Sequence, residues 1–336
     1  MNKEIRRISN FSSLPVLIFV LFMQISAAAV QIGINALERA ANITFPLPLV
    51  YMIMYIFVYP IGGSLAALIF YKTRSRETGL RLSQTFCRPQ MSAGWIARFM
   101  IITWGLSLLT SIVTNIVLQT VKSLLHLNIS DISFDFGDGI GGFAVSYIAL
   151  CMFAPFFEEV LFRSAVYRNT EIMGQSFAIV FSAMMFSLMH GNLEQIPYTF
   201  VMGLGFAYIF AKTRSLLMPM LLHFITNTTT VMFTSVIDAT DAEGIAENIR
   251  SGNLASIIPT ALYSMLIYGV IIAAIVMGII ELVRAIKRRE RLIGSFFPIS
   301  GAKKAAVFLS APITIITLAV LLLFLVLTTI NQIVFN

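Results

Sequence analysis

Glu158 and Glu159 lie side by side in the apolar run Phe153-Ala-Pro-Phe-Phe-Glu-Glu-Val-Leu-Phe-Arg163. A charge at the centre of a membrane helix costs about 3 kcal/mol on insertion scales, so acids placed there are read first as functional. Residues four apart share a helix face, so Glu159 can pair with Arg163, while Glu158 points elsewhere, over Phe157 and Phe162. A carboxylate in apolar surroundings, free of a counter-ion, suits a general base. Two further elements follow in the chain: Phe186 with His190, and His223 with Asn227, each pair at four-residue spacing. One base, two imidazoles and an amide donor suit activation of a water for attack on a carbonyl, with an imidazole or Asn227 stabilising the oxyanion. His190, His223 and Glu158 would equally suit a zinc ion with an open position. Spacing alone leaves both open, and each pair taken singly also fits a purely structural role: a buried ion pair, a satisfied histidine or an interhelical hydrogen bond.

These residues need membrane helices to position them. The 336-residue chain is 58% hydrophobic and 12% charged, with a mean hydropathy of +0.87, which excludes an ordinary soluble domain. The expected fold is an all-α polytopic membrane protein. About nine spans are expected, at 14–37, 46–71, 95–121, 142–168, 175–190, 193–211, 215–236, 257–283 and 305–330; the count is eight if the short fifth segment does not cross. With the N-terminus cytoplasmic, all of the 23 Lys and Arg except Arg39, Lys122 and Arg250 fall on the inner side. The net charge of +7 is then a topology signal and gives no nucleic-acid surface. Cys87 and Cys151 form neither a disulfide framework nor a metal spacing. At 1.5 Å per residue, Glu158 lies about 16 Å along its helix from Asn169, and His223 and Asn227 about 12 and 18 Å from Ser215, so the three can meet near the middle of the bilayer.

The three elements in this order, Glu158-Glu159-x-x-x-Arg163, Phe186-x-x-x-His190 and His223-x-x-x-Asn227, resemble the CPBP or Abi intramembrane proteases, the type II CAAX prenyl endopeptidases and their bacterial relatives. The resemblance covers about residues 140–236. It implies a helical intramembrane peptidase whose site opens toward the cytoplasm. Glu158 would activate water with help from His190, His223 and Asn227, and Glu159, Arg163 and Phe186 would support the site. Chemistry in that family is described both with a metal and with the glutamate alone, so zinc is the one cofactor implied.

The expected organisation is a three-helix transmembrane scaffold over 1–139, a catalytic four-helix bundle over 140–236 and C-terminal transmembrane helices over 237–336. The partners are the lipid bilayer and a membrane-associated peptide or protein substrate, with no nucleic acid, and the composition fits a bacterial plasma membrane. Two other classes share parts of the pattern. A non-catalytic bacteriocin-immunity or scaffold protein would keep every residue named above, whereas a proton-coupled transporter should show broken helices in matching halves of the chain.

Overall fold

The computed structural model describes residues 1–126, 139–239, 249–251, 257–288 and 290–334. Among them all regular structure is helical. Helix α1 is Asn2–Ala41. Helix α2 covers 47–78, where π-helical Ile53–Val58 joins Leu47–Met52 to Tyr59–Thr78. Helix α3 is Ala93–Leu124 and α4 covers 139–173. Next come α5 (Gln175–Met189), α6 (Ile196–Thr213) and α7 (Leu217–Ala239). The chain continues through α8 (Ile258–Arg288), a short α9 (Gly301–Leu309) and α10 (Pro312–Val334).

Eight of the nine expected spans each correspond to one helix, and among the described residues six helices are long and apolar enough to cross a membrane: α1, α2, α3, α4, α8 and α10. Helix α5 has 15 residues, about 22 Å of helix, and is shorter than a bilayer core. Two differences from expectation have a clear physical basis. Helix α1 extends to 40 residues, so about 60 Å of helix reaches beyond any hydrocarbon layer. The expected span 305–330 is divided, because Pro312 has no N–H to continue a helix and disfavours helical geometry at Ala311, so α10 starts with proline in its first turn. The Ile313 N–H left at that start donates to Asn10 Oδ1 of α1 at 3.0 Å.

Small hydroxyl residues tie α1 to α9 and α10. Ser9 donates to Phe308 O at 2.7 Å, and Ser9 and Ser13 both meet Thr314, at 2.6 and 2.9 Å. This is how membrane helices associate when lipid removes the hydrophobic drive. Asn169 draws α1, α2 and α4 together: its amide donates to Ile8 O and Ser12 Oγ, and its Oδ1 accepts from Arg74. Gly174 makes the turn from α4 to α5 at φ +106°, a conformation in which a side chain would be strained. The basic segments gather at this same end: Arg214 pairs with Glu171 at 2.6 Å, Arg168 donates to Arg81 O at 3.0 Å, and Lys212 to Arg291 O at 2.7 Å. Residues 127–138 and 240–248 lie outside the described residues.

The main apolar core draws on α1, α4, α5 and α6, around Phe19, Phe162, Met185, Phe186 and Phe206. Helix α6 meets α5 closely at Gly203, where a Cβ would come within 2.9 Å of Ala183 Cα. That close approach lets α4 reach the backbone of α6.

Candidate active site

Helix α4 carries both carboxylates, and its irregularity has a local cause. Residues Tyr147–Phe153 are π-helical, and the Ala154 N–H bonds to Ala149 O, five residues back. The next donor along the chain would be residue 155, but Pro155 has no N–H. The Leu150 carbonyl is thus left without a backbone donor, and Asn227 Nδ2 of α7 fills the place at 2.7 Å. A single α-helical stretch, Ala154–Glu159, follows, and a second π-helical segment, Val160–Tyr167, takes over after it. π-turns of this kind recur at functional sites because they re-aim the residues on either side.

Glu159 and Arg163 are fully buried, Glu158 is 6% exposed and His223 3%. Arg163 Nε lies 3.1 Å from Glu159 Oε2, the pairing expected from their spacing. The angle is poor for a hydrogen bond, and Nε and Nη1 have no hydrogen-bond partner. Arg163 Nη2 donates to Gly203 O at 3.2 Å, and the guanidinium carbon stands 4.5 Å from the Phe186 ring centre, 5.1 Å from Phe206 and 6.0 Å from Phe162. Aromatic faces replace the missing acceptors, an arrangement suited to a planar, weakly hydrated cation.

The imidazole of His223 sits between the two carboxylates. Its Nδ1 is 3.1 Å from Glu159 Oε1, and its Nε2 is 3.8 Å from Glu158 Oε2. Since a carboxylate can only accept, Nδ1–H donates to Glu159, and Nε2 is left facing Glu158. Glu159 therefore does more than balance Arg163: it fixes the orientation of His223. Glu158 Oε2 is buried without a hydrogen-bond partner, and its other oxygen accepts from the hydroxyl of Tyr59 on α2.

Phe186 stands edge-on to both imidazoles, with ring centres 5.0 Å from His190 and 5.8 Å from His223. His190 Nδ1 is 2.8 Å from Phe186 O. A carbonyl only accepts, so Nε2 is the free face of this ring as well. The structure thus gathers Glu158, Glu159, Arg163, Phe186, His190 and His223 around one centre. Asn227 lies one turn beyond His223 and spends one amide hydrogen on the α4 backbone.

Two residues of this centre escaped the reading of the sequence. Phe206 lies 5.0 Å from the His223 ring and beneath Arg163, and nothing in its spacing set it apart from other core phenylalanines. Tyr59 belongs to a helix read only as scaffold. Its signal was available: Tyr51, Tyr55 and Tyr59 recur every four residues, a stripe of hydroxyls along one face of an apolar span.

A zinc ion would draw on Glu158, His190 and His223. The orphaned Glu158 Oε2 fits such a role, and so do two histidines whose Nδ1–H groups are tied to a carboxylate and a carbonyl, the partners that usually orient metal-binding imidazoles. Among the described residues, however, no three His, Cys, Asp or Glu side chains are arranged to hold an ion.

Residues 140–229 match the family described as Type II CAAX prenyl endopeptidase Rce1-like. A Bacillus subtilis (strain 168) protein described as "Putative membrane peptidase YdiL" is 28% identical over 99 residues, which make up 28% of this chain and 39% of that protein. The chain thus matches about two fifths of the length of this curated relative. No solved structure matches. The family stretch runs from the start of α4 to just past Asn227, and every residue of the centre except Tyr59 falls inside it.

Proposed function

We propose that this multi-pass integral membrane protein, Rce1-like over residues 140–229, is an intramembrane endopeptidase that hydrolyses a peptide bond of a membrane-associated peptide or protein. The observation that carries this reading is the gap between Glu158 Oε2 and His223 Nε2. Both atoms are acceptors when the carboxylate is ionised and His223 is neutral, so they cannot bond each other, and they stand 3.8 Å apart. A water about 2.8 Å from each can donate one hydrogen to either side, leaving its lone pair for a carbonyl carbon. Glu158 takes the proton as the water attacks and returns it to the leaving amine. Glu159, held by Arg163, keeps His223 in the tautomer this geometry needs. The second amide hydrogen of Asn227 is the group assigned to the developing oxyanion, while neutral His190, whose proton is committed to Phe186 O, can only accept at Nε2 and is assigned to a substrate N–H.

A second reading rests on the same tautomers. Glu158, His190 and His223 are not arranged to hold an ion as they stand, so they would have to draw together around a zinc ion, which would supply Lewis-acid activation of water. The setting in either case is a bacterial plasma membrane.

The test is cleavage of a membrane-tethered peptide library by the purified protein, wild type against Glu158→Gln, each with and without a zinc chelator. Cleavage lost only in the mutant supports the glutamate acting without metal, and cleavage lost with chelator as well supports the zinc reading. A folded wild type that cleaves nothing in either arm sinks the peptidase and leaves a non-catalytic immunity or scaffold protein as the better account.

A further inference from the structure

Glu158 can act as described only if one particular oxygen faces His223. A carboxylate has two equivalent oxygens on a soft terminal torsion, and nothing on α4 distinguishes them. The distinction comes from α2, outside the family stretch: the Tyr59 hydroxyl donates to Oε1, and Oε2 is the atom left toward His223 Nε2.

The placement of Tyr59 is built into three local features. Tyr59 is the first residue after the π-helical segment, and its N–H bonds to Met54 O, five residues back. Its ring is held edge-on by Phe19 of α1 at 5.3 Å and lies 6.4 Å from the ring of Tyr55. One turn further on, Gly63 lies directly against Phe157, the neighbour of Glu158. A Cβ at Gly63 would come within 2.8 Å of the Phe157 ring. The missing side chain allows α2 to approach α4 closely enough for the phenol to reach the carboxylate.

We infer that Tyr59 is a positioning residue of the reaction, fixing the Glu158 carboxylate through Oε1 so that Oε2 is the oxygen that receives the proton. The α2 helix is then part of the active site. This inference rests on the peptidase reading for its kinetic consequence, while the contact itself can be tested without turnover.

Two measurements separate the possibilities. In infrared spectra of the purified full chain, the carboxylate band that disappears in Glu158→Gln identifies Glu158. This band should shift in Tyr59→Phe, and an unchanged band overturns the inference whether or not the protein cleaves anything. In the cleavage assay, Tyr59→Phe should lower kcat about 10–100-fold with KM unchanged. Replacing Tyr59 with 3,5-difluorotyrosine keeps the shape and makes the hydroxyl a stronger donor, so kcat should differ from that of wild type at equal KM. A purely structural role would leave the fluorinated protein at the wild-type rate. Wild-type kcat in both variants overturns the positioning role. If the wild type cleaves no peptide, the peptidase reading fails, and the infrared shift alone decides whether Tyr59 holds Glu158.

Discussion

Helices α4 and α10 both cross the membrane by length and composition, yet they meet opposite surroundings. Of the most apolar window of α4, 56% of the residues are buried within the protein, against 17% for α10. The less apolar helix is the more buried one. A span of leucine and isoleucine loses nothing by facing lipid, whereas one with two glutamates and an arginine must be surrounded by partners that satisfy them. Helix α4 accordingly lies inside a ring of α1, α2, α5, α6 and α7, where Tyr59, His223, Gly203 O and three aromatic rings meet part of its charge. Leu323 and Leu327 of α10 stay exposed on the outside of the bundle. Burial here follows chemistry, and apolar content alone does not predict it.

Substitutions on the two helices should differ accordingly. The largest effect is expected for Glu158→Gln, which keeps the side chain's shape but cannot accept a proton: turnover should fall by about 10²–10⁴-fold, with an unfolding curve close to that of wild type. Equal rates for mutant and wild type would remove Glu158 from the mechanism. Next comes Arg163→Ala. It leaves Glu159 buried without a cation and removes the side-chain donor to Gly203 O, and should cost about 3–5 kcal/mol, measured by denaturant unfolding in detergent or bilayer.

Glu159→Gln sharpens the comparison within α4 itself. The amide can still accept from His223 but no longer carries the charge that anchors the imidazole, and kcat is expected to fall about 10–100-fold, with a loss of stability smaller than that of Arg163→Ala. The smallest effect should come from Leu327→Ala on α10, within about 0.5 kcal/mol of wild type. A loss there as large as that of Arg163→Ala would show that α10 packs against protein, and the contrast between the two helices would collapse.

The readable part of the site consists of short-range relations. The pairing of Glu159 with Arg163 follows from four-residue spacing, and helix lengths place Glu158 and His223 at similar depth, where the structure puts them 3.8 Å apart. The bond from His190 to its own helix at Phe186 O also lies within one turn. Other features were not readable, because they depend on which helices become neighbours. The carboxylate of Glu159 reaching across to His223, the amide of Asn227 filling the Leu150 carbonyl, and the phenol of Tyr59 on Glu158 each link residues 64, 77 and 99 positions apart. Pro155 marked where a carbonyl would be orphaned, although it could not say which helix would supply the donor. The break before α10 was legible at Pro312, but the apolar run around it hid the break.

By itself the sequence determined that this chain is a bundle of membrane helices, in which stretch its intramembrane polar side chains collect, and which of them hold the charge, since hydropathy and helical spacing are local properties. The tertiary structure decided what each charge faces. Which nitrogen of His223 carries the proton, and which of two equivalent Glu158 oxygens faces it, are decided by neighbours that arrive only through packing: Glu159 at Nδ1 of His223 and Tyr59 at Oε1 of Glu158.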